Sequence, residues 1–336
     1  MKPVVHAAKE GHREVFDLLV REGANLSLLD DDDKNILHLA CIGGNVEIVK
    51  HVLARKMWDI DTRDNDGWTP VLHAANNGHK DVFDALVEAG ADLSLVDGDK
   101  ETILHLACDG GNVEIIKYLL TQDIGDIGNR DIYGLTLVIH AAYNGDKDVF
   151  DILVEAGGAV SQVGYNEETI LHLSCEGENV EIIKYLLAHE NVDIDSRDGG
   201  GWTPVMQVAM VECDDVFDLL VKWGADLSLL DEDNNNILHL ACGGNSIEIV
   251  RYLLTHDIVD INSRDGEGDT PAMIAACEGH EDVFFLLVDH EADLTIINDA
   301  GDNILDMACE GGNVHIVKYV STRSIAEGPY MEGNPC

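Results

Sequence analysis

Apolar residues recur along the chain in short bursts at helical spacing, and the bursts come in pairs. Val82, Phe83, Leu86 and Val87 share one face of a helix, as do Val113, Ile116, Leu119 and Leu120. Ahead of each lies a shorter apolar block: Pro70-Val71-Leu72-His73-Ala74-Ala75 before the first, Ile103-Leu104-His105-Leu106-Ala107-Cys108 before the second. Gly78 or Gly111 separates the two members of a pair, where glycine accepts a positive φ at no steric cost. Thr69-Pro70 reads as an N-cap followed by a first-turn proline, and Gly90 reads as a C-cap. Each segment therefore predicts two short helices. Neither buries its apolar face alone, so the pairs must stack on one another.

The pairs repeat. Cys41, Cys108, Cys175, Cys242 and Cys309 are spaced by 67 residues, and His38, His105, His172 and His239 keep the same step, with Asp306 in fifth place. The 67-residue period divides into two related half-units of 33 and 34 residues, which alternate along the chain. Thr69-Pro70-Val71-Leu72-His73-Ala74-Ala75, with Gly78-His79 and Gly90-Ala91-Asp92, resembles the ankyrin repeat. The resemblance recurs about ten times and covers nearly the whole chain. It implies an all-α solenoid of stacked helix–turn–helix units with β-turn or hairpin tips. The expected units are 1–30, 31–64, 65–97, 98–131, 132–164, 165–198, 199–231, 232–265, 266–298 and 299–325, with an unstructured tail at 326–336. The second type of half-unit departs from the pattern: Asn35-Ile36, Thr102-Ile103, Thr169-Ile170 and Asn236-Ile237 replace Thr-Pro, which predicts a weaker entry into the first helix. The first unit starts inside its own first helix and neither end shows a polar capping unit, so a fragment of a longer array is expected.

Charge changes the functional picture. The 336 residues carry 64 acids against 21 Lys and Arg, a formal net charge of −43. Such a chain repels phosphate backbones and anionic bilayers, so neither nucleic acid nor membrane is an expected partner. The N-terminus lacks a signal-peptide core, and no apolar run is long enough to span a bilayer. Regularly spaced thiols, each pair too far apart to bridge, fit a reducing, cytoplasmic compartment.

Candidate chemistry is thin. Each His-x-x-Cys pair places two zinc-type ligands on one side of a helix, but a structural site needs four. Neighbouring pairs lie two units apart, on the order of 20 Å at roughly 8–10 Å per unit, beyond shared coordination. The acidic runs Asp30-Asp31-Asp32-Asp33, Asp97-Gly98-Asp99 and Asp231-Glu232-Asp233-Asn234 do not continue as calcium loops and fall where inter-unit turns favour Asp. No nucleophile elbow, phosphate loop or dinucleotide fingerprint occurs. The expectation is no enzyme, no cofactor and no metal.

In the ankyrin pattern, the residue before the Thr and the two before the inter-helix Gly face the concave side and carry contacts. Here the resemblance points to Trp68, Asn76 and Asn77, to Leu135 and Tyr143, and to Trp202, Met210 and Val211, flanked by Glu101, Asp109, Glu168 and Glu176. Large apolar side chains in a charged surround have the composition of an interface core. The central units also break the repeat's own rules: Glu178 and Glu212 stand where glycine is expected. The implied function is a non-catalytic, monomeric scaffold that holds a protein with a basic or extended segment in its concave groove. The alternatives are an acidic mimic of nucleic acid, or a regulatory array belonging to a larger enzyme or channel.

Overall fold

The computed structural model describes residues 2–122, 124, 127–131, 134–189 and 192–327. The chain divides into two compact units, Met1–Tyr165 and Asn166–Cys336. In the first, the leading helix of each pair is α1 (Pro3–Lys9), α3 (Ile36–Ile42), α5 (Pro70–Asn76), α7 (Ile103–Asp109) or α9 (Leu137–Asn144). The partners are α2 (Arg13–Arg21), α4 (Val46–Ala54), α6 (Lys80–Glu88), α8 (Val113–Thr121) and α10 (Lys147–Glu155). In the second, the leading helices are α11 (Ile170–Glu176), α13 (Pro204–Val211), α15 (Ile237–Gly243), α17 (Pro271–Cys277) and α19 (Ile304–Gly311). Their partners are α12 (Val180–His189), α14 (Asp214–Trp223), α16 (Ile247–Thr255), α18 (Glu281–Asp289) and α20 (Val314–Glu327). Within each unit the odd helices pack in one layer and the even helices in another. Of the tail expected at 326–336, residues 326 and 327 close α20 and the rest lie outside the described residues.

Two devices start the leading helices. Thr69 is extended and Pro70 occupies the first turn, where its missing N–H is no loss. Where Ile stands in place of that proline, at α3, α7, α11, α15 and α19, a reciprocal cap replaces it. The Asn35 side chain accepts from the amides of Leu37 and His38, while His38 Nδ1 accepts from the Asn35 amide at 3.1 Å. His105, His172 and His239 accept the amides of Thr102, Thr169 and Asn236 in the same way. Asp306 Oδ2 takes this role for Asn303. Entry into these helices, expected to be weaker, is thus capped on both sides.

Stacking sets the close approaches. Gly110 has an ordinary helical φ, yet a Cβ there would lie 2.3 Å from the carbonyl oxygen of Ala75 on the preceding leading helix. Gly43 against Ala8, Gly244 against Met210 and Gly311 against Ala276 repeat this contact. Asn112 bridges the same joint: its Oδ1 accepts from the amides of Glu114 and Ile115 at 3.1 Å, and its Nδ2 donates to the Gly78 carbonyl at 2.9 Å. In the other layer, Phe16, Phe83, Phe150, Phe217 and Phe284 are fully buried. Phe83 meets Tyr118 and Phe217 meets Tyr252 edge to face, at ring separations of 5.7 and 5.4 Å.

The tips are held by acids and arginines. Asp97 Oδ1 accepts from the amides of Asp99 and Glu101, and Asp64, Asp198, Asp231 and Asp265 do the same two and four residues on. Arg63 reaches from the Gly67 carbonyl to that of Val96, and Arg197 from Gly201 to Leu230. Antiparallel bridges such as Val96 with Thr102 close the hairpins.

Cys41, Cys108, Cys175 and Cys242 are buried free thiols, and burial pushes each far above the usual thiol range. Cys309, the fifth of the series and expected to match the others, is only half-buried. Gly110→Ala should destabilise the fold by about 1–3 kcal/mol, since backbone rather than a flexible side chain must yield. Urea denaturation checks this; an unchanged midpoint would contradict the close approach.

Candidate functional site

The residues expected to carry contacts sit at the tips and at the C-terminal ends of the leading helices. In the first unit the Trp68 amide is held by Asp64 Oδ1 at 2.8 Å, and its half-buried indole lies against His73, ring centres 4.9 Å apart. Asn76 is half-buried, and the exposed Asn77 donates to the His73 carbonyl at 2.8 Å. Leu135 is half-buried on its tip, its amide held by Asp131 Oδ1. Tyr143, near the end of α9, is 43% exposed. Beside it Asn144 donates to Asp109 Oδ1 at 2.7 Å, joining two adjacent leading helices.

The second unit carries its own set. Trp202 is half-buried; its amide donates to Asp198 Oδ1 and its carbonyl accepts from His172 Nε2 at 3.0 Å. Met210 and Val211, at the end of α13, are 39% and 45% exposed. Glu176 is exposed and accepts from Gln207 Nε2, whereas the half-buried Glu168 accepts from the Asn166 amide. At Glu178 and Glu212 the chain keeps the left-handed turn that glycine makes elsewhere, with φ of 54° and 60°. Tyr143, Met210 and Val211 are thus the most open apolar side chains of the expected set, and the two tryptophans are partly committed to their own tips.

The histidines are mostly structural. His38, His105, His172 and His239 use Nδ1 as the acceptor of a cap, which places the proton on Nε2. Burial lowers the pKa of all four; His105, with His140 also beside it, falls to about 4. His79 and His280 bond the carbonyls of Ile42 and Gly243 on the preceding leading helices.

One cluster joins residues that the sequence reading treated separately, or did not single out. His140 on α9 bonds Asp131 Oδ2 through Nε2 at 2.9 Å, and its Nδ1 lies 3.6 Å from Asp109 Oδ1. Glu101 completes the group, with one ligand atom from each of Glu101, Asp109 and His140 lying within 4.8 Å of the others. Burial, reinforced by Asp97 and Asp109, raises Glu101 to about 7. Burial alone would lower His140, but the hydrogen bonds and charges of Asp109 and Asp131 outweigh it and raise it. The signal in the sequence is the exchange of Lys34 for Glu101 and of Ile42 for Asp109 one period later, at a histidine shared by both positions.

With helix pairs, hairpin tips and joints repeating in register, the family follows from comparison with known proteins. A model for ankyrin repeats in three copies matches residues 4–97, 90–164, 158–231, 215–298 and 238–327. The chain belongs to the ankyrin repeat family. Such repeats generally mediate protein–protein interaction, and the family is typically non-catalytic. The chain is 26% identical over 326 residues to the E3 ubiquitin-protein ligase KEG of Arabidopsis thaliana, covering 92% of itself and 19% of that protein. It is 28% identical to the ankyrin repeat and KH domain-containing protein mask-1 of Caenorhabditis elegans, covering 83% of itself and 10% of that protein. With human inversin the identity is 27%, over 68% of the chain and 22% of that protein. The ankyrin chain therefore spans a quarter or less of each of these relatives. No helix among its described residues is long and apolar enough to cross a membrane.

The caps set a pH dependence. The unfolded chain protonates His105 near 6.5, whereas the folded chain resists protonation down to about 4. Stability from this group is present above 6.5 and is lost as pH falls toward 4. A His105→Gln variant keeps a cap acceptor without titrating. The stability of the wild type relative to that variant should shrink between pH 6.5 and 4.5, read as urea midpoints; a pH-independent difference would contradict the assignment.

Proposed function

We propose that the chain is a non-catalytic scaffold, or adaptor, that binds a protein partner with a basic or extended segment. The contact residues are the tip and helix-end side chains. In the first unit they are Trp68, Asn76, Asn77, Leu135 and Tyr143, and in the second Trp202, Met210 and Val211. Glu101, Asp109, Glu168 and Glu176 flank them. The observation that carries this reading is the exposure of Tyr143, Met210 and Val211 at the ends of leading helices in a strongly acidic chain. An apolar anchor set among solvated acids is what a basic partner desolvates and fills.

The acidic surplus favours such a partner because several of the few basic residues are tied up internally. Arg63, Arg197 and Arg264 strap the tips, and Lys34 lies among Asp32, Asp64 and Asp66. The buried free thiols support a reducing, cytoplasmic setting. A second reading, an array serving a larger enzyme or channel, has in its favour that 92% of the chain aligns with only 19% of the ligase.

The test is to capture the partner from the native source and measure its binding kinetics. Tyr143→Ala and Met210→Ala should each weaken binding mainly through faster release. Loss of a well-filled anchor of about 2 kcal/mol corresponds to about thirtyfold. Neutralising Glu101, Asp109, Glu168 and Glu176 together should mainly slow association, as should added salt. Unchanged kinetics in both sets would overturn the site assignment.

A further inference from the structure

We propose that Glu101, Asp109 and His140 form a binding site for a divalent transition-metal ion of the zinc class. The site shares Glu101 and Asp109 with the proposed partner surface, but it concerns a small ion in the first unit, and its metal-binding readout fails or succeeds independently of the partner kinetics. Glu101 and Asp109 lie at the two ends of α7, and His140 meets them because the adjacent leading helix α9 stacks on it. Glu101 ends the tip before the Thr102 cap, Asp109 is the last residue of α7, and His140 lies inside α9.

Three features make this more than a patch of acids. First, the spacing suits one ion. The 3.6 Å between Asp109 Oδ1 and His140 Nδ1 is close to the separation of about 3.4 Å expected for two ligands bonded tetrahedrally at about 2.1 Å. The Glu101 carboxylate needs only a side-chain adjustment to complete the set, whose atoms already lie within 4.8 Å of one another. Second, the imidazole is aimed. Its Nε2 is fixed at 2.9 Å from Asp131 Oδ2, a carboxylate whose side chain is 1% exposed, leaving Nδ1 to face the two other acids. A carboxylate behind a histidine is the usual arrangement for orienting a metal-ligating imidazole.

Third, the repeat supplies its own comparison. One period earlier the same three positions hold Lys34, Ile42 and His73, and His73 bonds Asp64 just as His140 bonds Asp131. There the Lys34 ammonium lies 3.5 Å from Asp64 Oδ2, a cation supplied by the chain itself. At the later position a carboxylate replaces that lysine and a second acid replaces the isoleucine. In the second unit the corresponding residues are Glu168, Glu176 and Gln207, which lack an imidazole. Among the described residues only the Glu101 site brings ligand atoms of three His, Cys, Asp or Glu residues within 4.8 Å of one another. Asp109 is exposed, so an ion can enter from solvent and keep water on its remaining positions.

The test uses the intact chain, stripped with chelator, titrated with Zn²⁺ by calorimetry and with Co²⁺ by visible absorption. The variants follow residues that the repeat already tolerates: Glu101→Lys restores the earlier lysine, and His140→Gln matches Gln207. Asp109→Asn removes one ligand charge. Thermal melting establishes that each variant is folded. The expected result is one tight ion per chain with a Co²⁺ ligand-field band, weakened roughly tenfold or more by each of the three variants. A Glu168→Gln/Glu176→Gln control, which removes two acids elsewhere, should bind normally. Absence of a tight ion overturns the proposal. So does binding that survives Glu101→Lys and His140→Gln, or that the control variant weakens equally.

Discussion

No helix pair in this chain closes a core by itself, and everything else in the structure answers to that constraint. The leading helix of one pair meets its neighbour so closely that Gly110 faces the Ala75 carbonyl with no room for a Cβ. Asn112 and Asn45 cap their own helices with one side-chain atom and grip the preceding pair with the other. Buried Phe83 and Phe217 each meet a tyrosine of the next pair edge to face. The close approach, the asparagine grip on the preceding pair and the ring contacts each need the adjacent repeat in place before they contribute. Stability in such an array is built from nearest-neighbour joints rather than from one central core.

The same economy shapes the surface. Tip aspartates look like solvent-facing acids, yet their oxygens accept backbone amides two and four residues on, and arginines strap one tip to the next. With the tip acids and several cations held this way, the joints and turns satisfy themselves. The ends of the leading helices are left as positions where side chains can change without breaking a joint. Tyr143, Met210 and Val211 appear there on an otherwise polar rim, and so does Asp109, which meets Glu101 of the tip beside His140.

Much of this was legible in the residues. The 67-residue period, the paired apolar bursts and the inter-helix glycines led directly to stacked helix pairs, because each signal is local and repeats many times. The reciprocal cap was harder to see: His38 and its equivalents read as members of a family pattern, and only the fold shows Nδ1 accepting the cap amide. The Glu101, Asp109 and His140 cluster carries no ligand spacing along the chain, because stacking of α9 on α7 brings His140 to the two acids. Trp68 reads as an open aromatic, but its own tip turns the indole onto His73. Cys309 reads as the equal of four buried thiols, yet it is only half-buried, because burial is set by packing between repeats rather than by position within one.

The most direct test of the account is hydroxyl-radical footprinting of the chain free and bound to its captured partner. Oxidation reports separately on the ends of the leading helices, through Tyr143 and Met210, and on the opposite layer, through Tyr118 and Tyr252. A partner seated at the ends of the leading helices protects Tyr143 and Met210 and leaves Tyr118 and Tyr252 as reactive as in the free chain. Protection of Tyr118 and Tyr252 with Tyr143 and Met210 unchanged would place the partner on the even-numbered helices and contradict that seating.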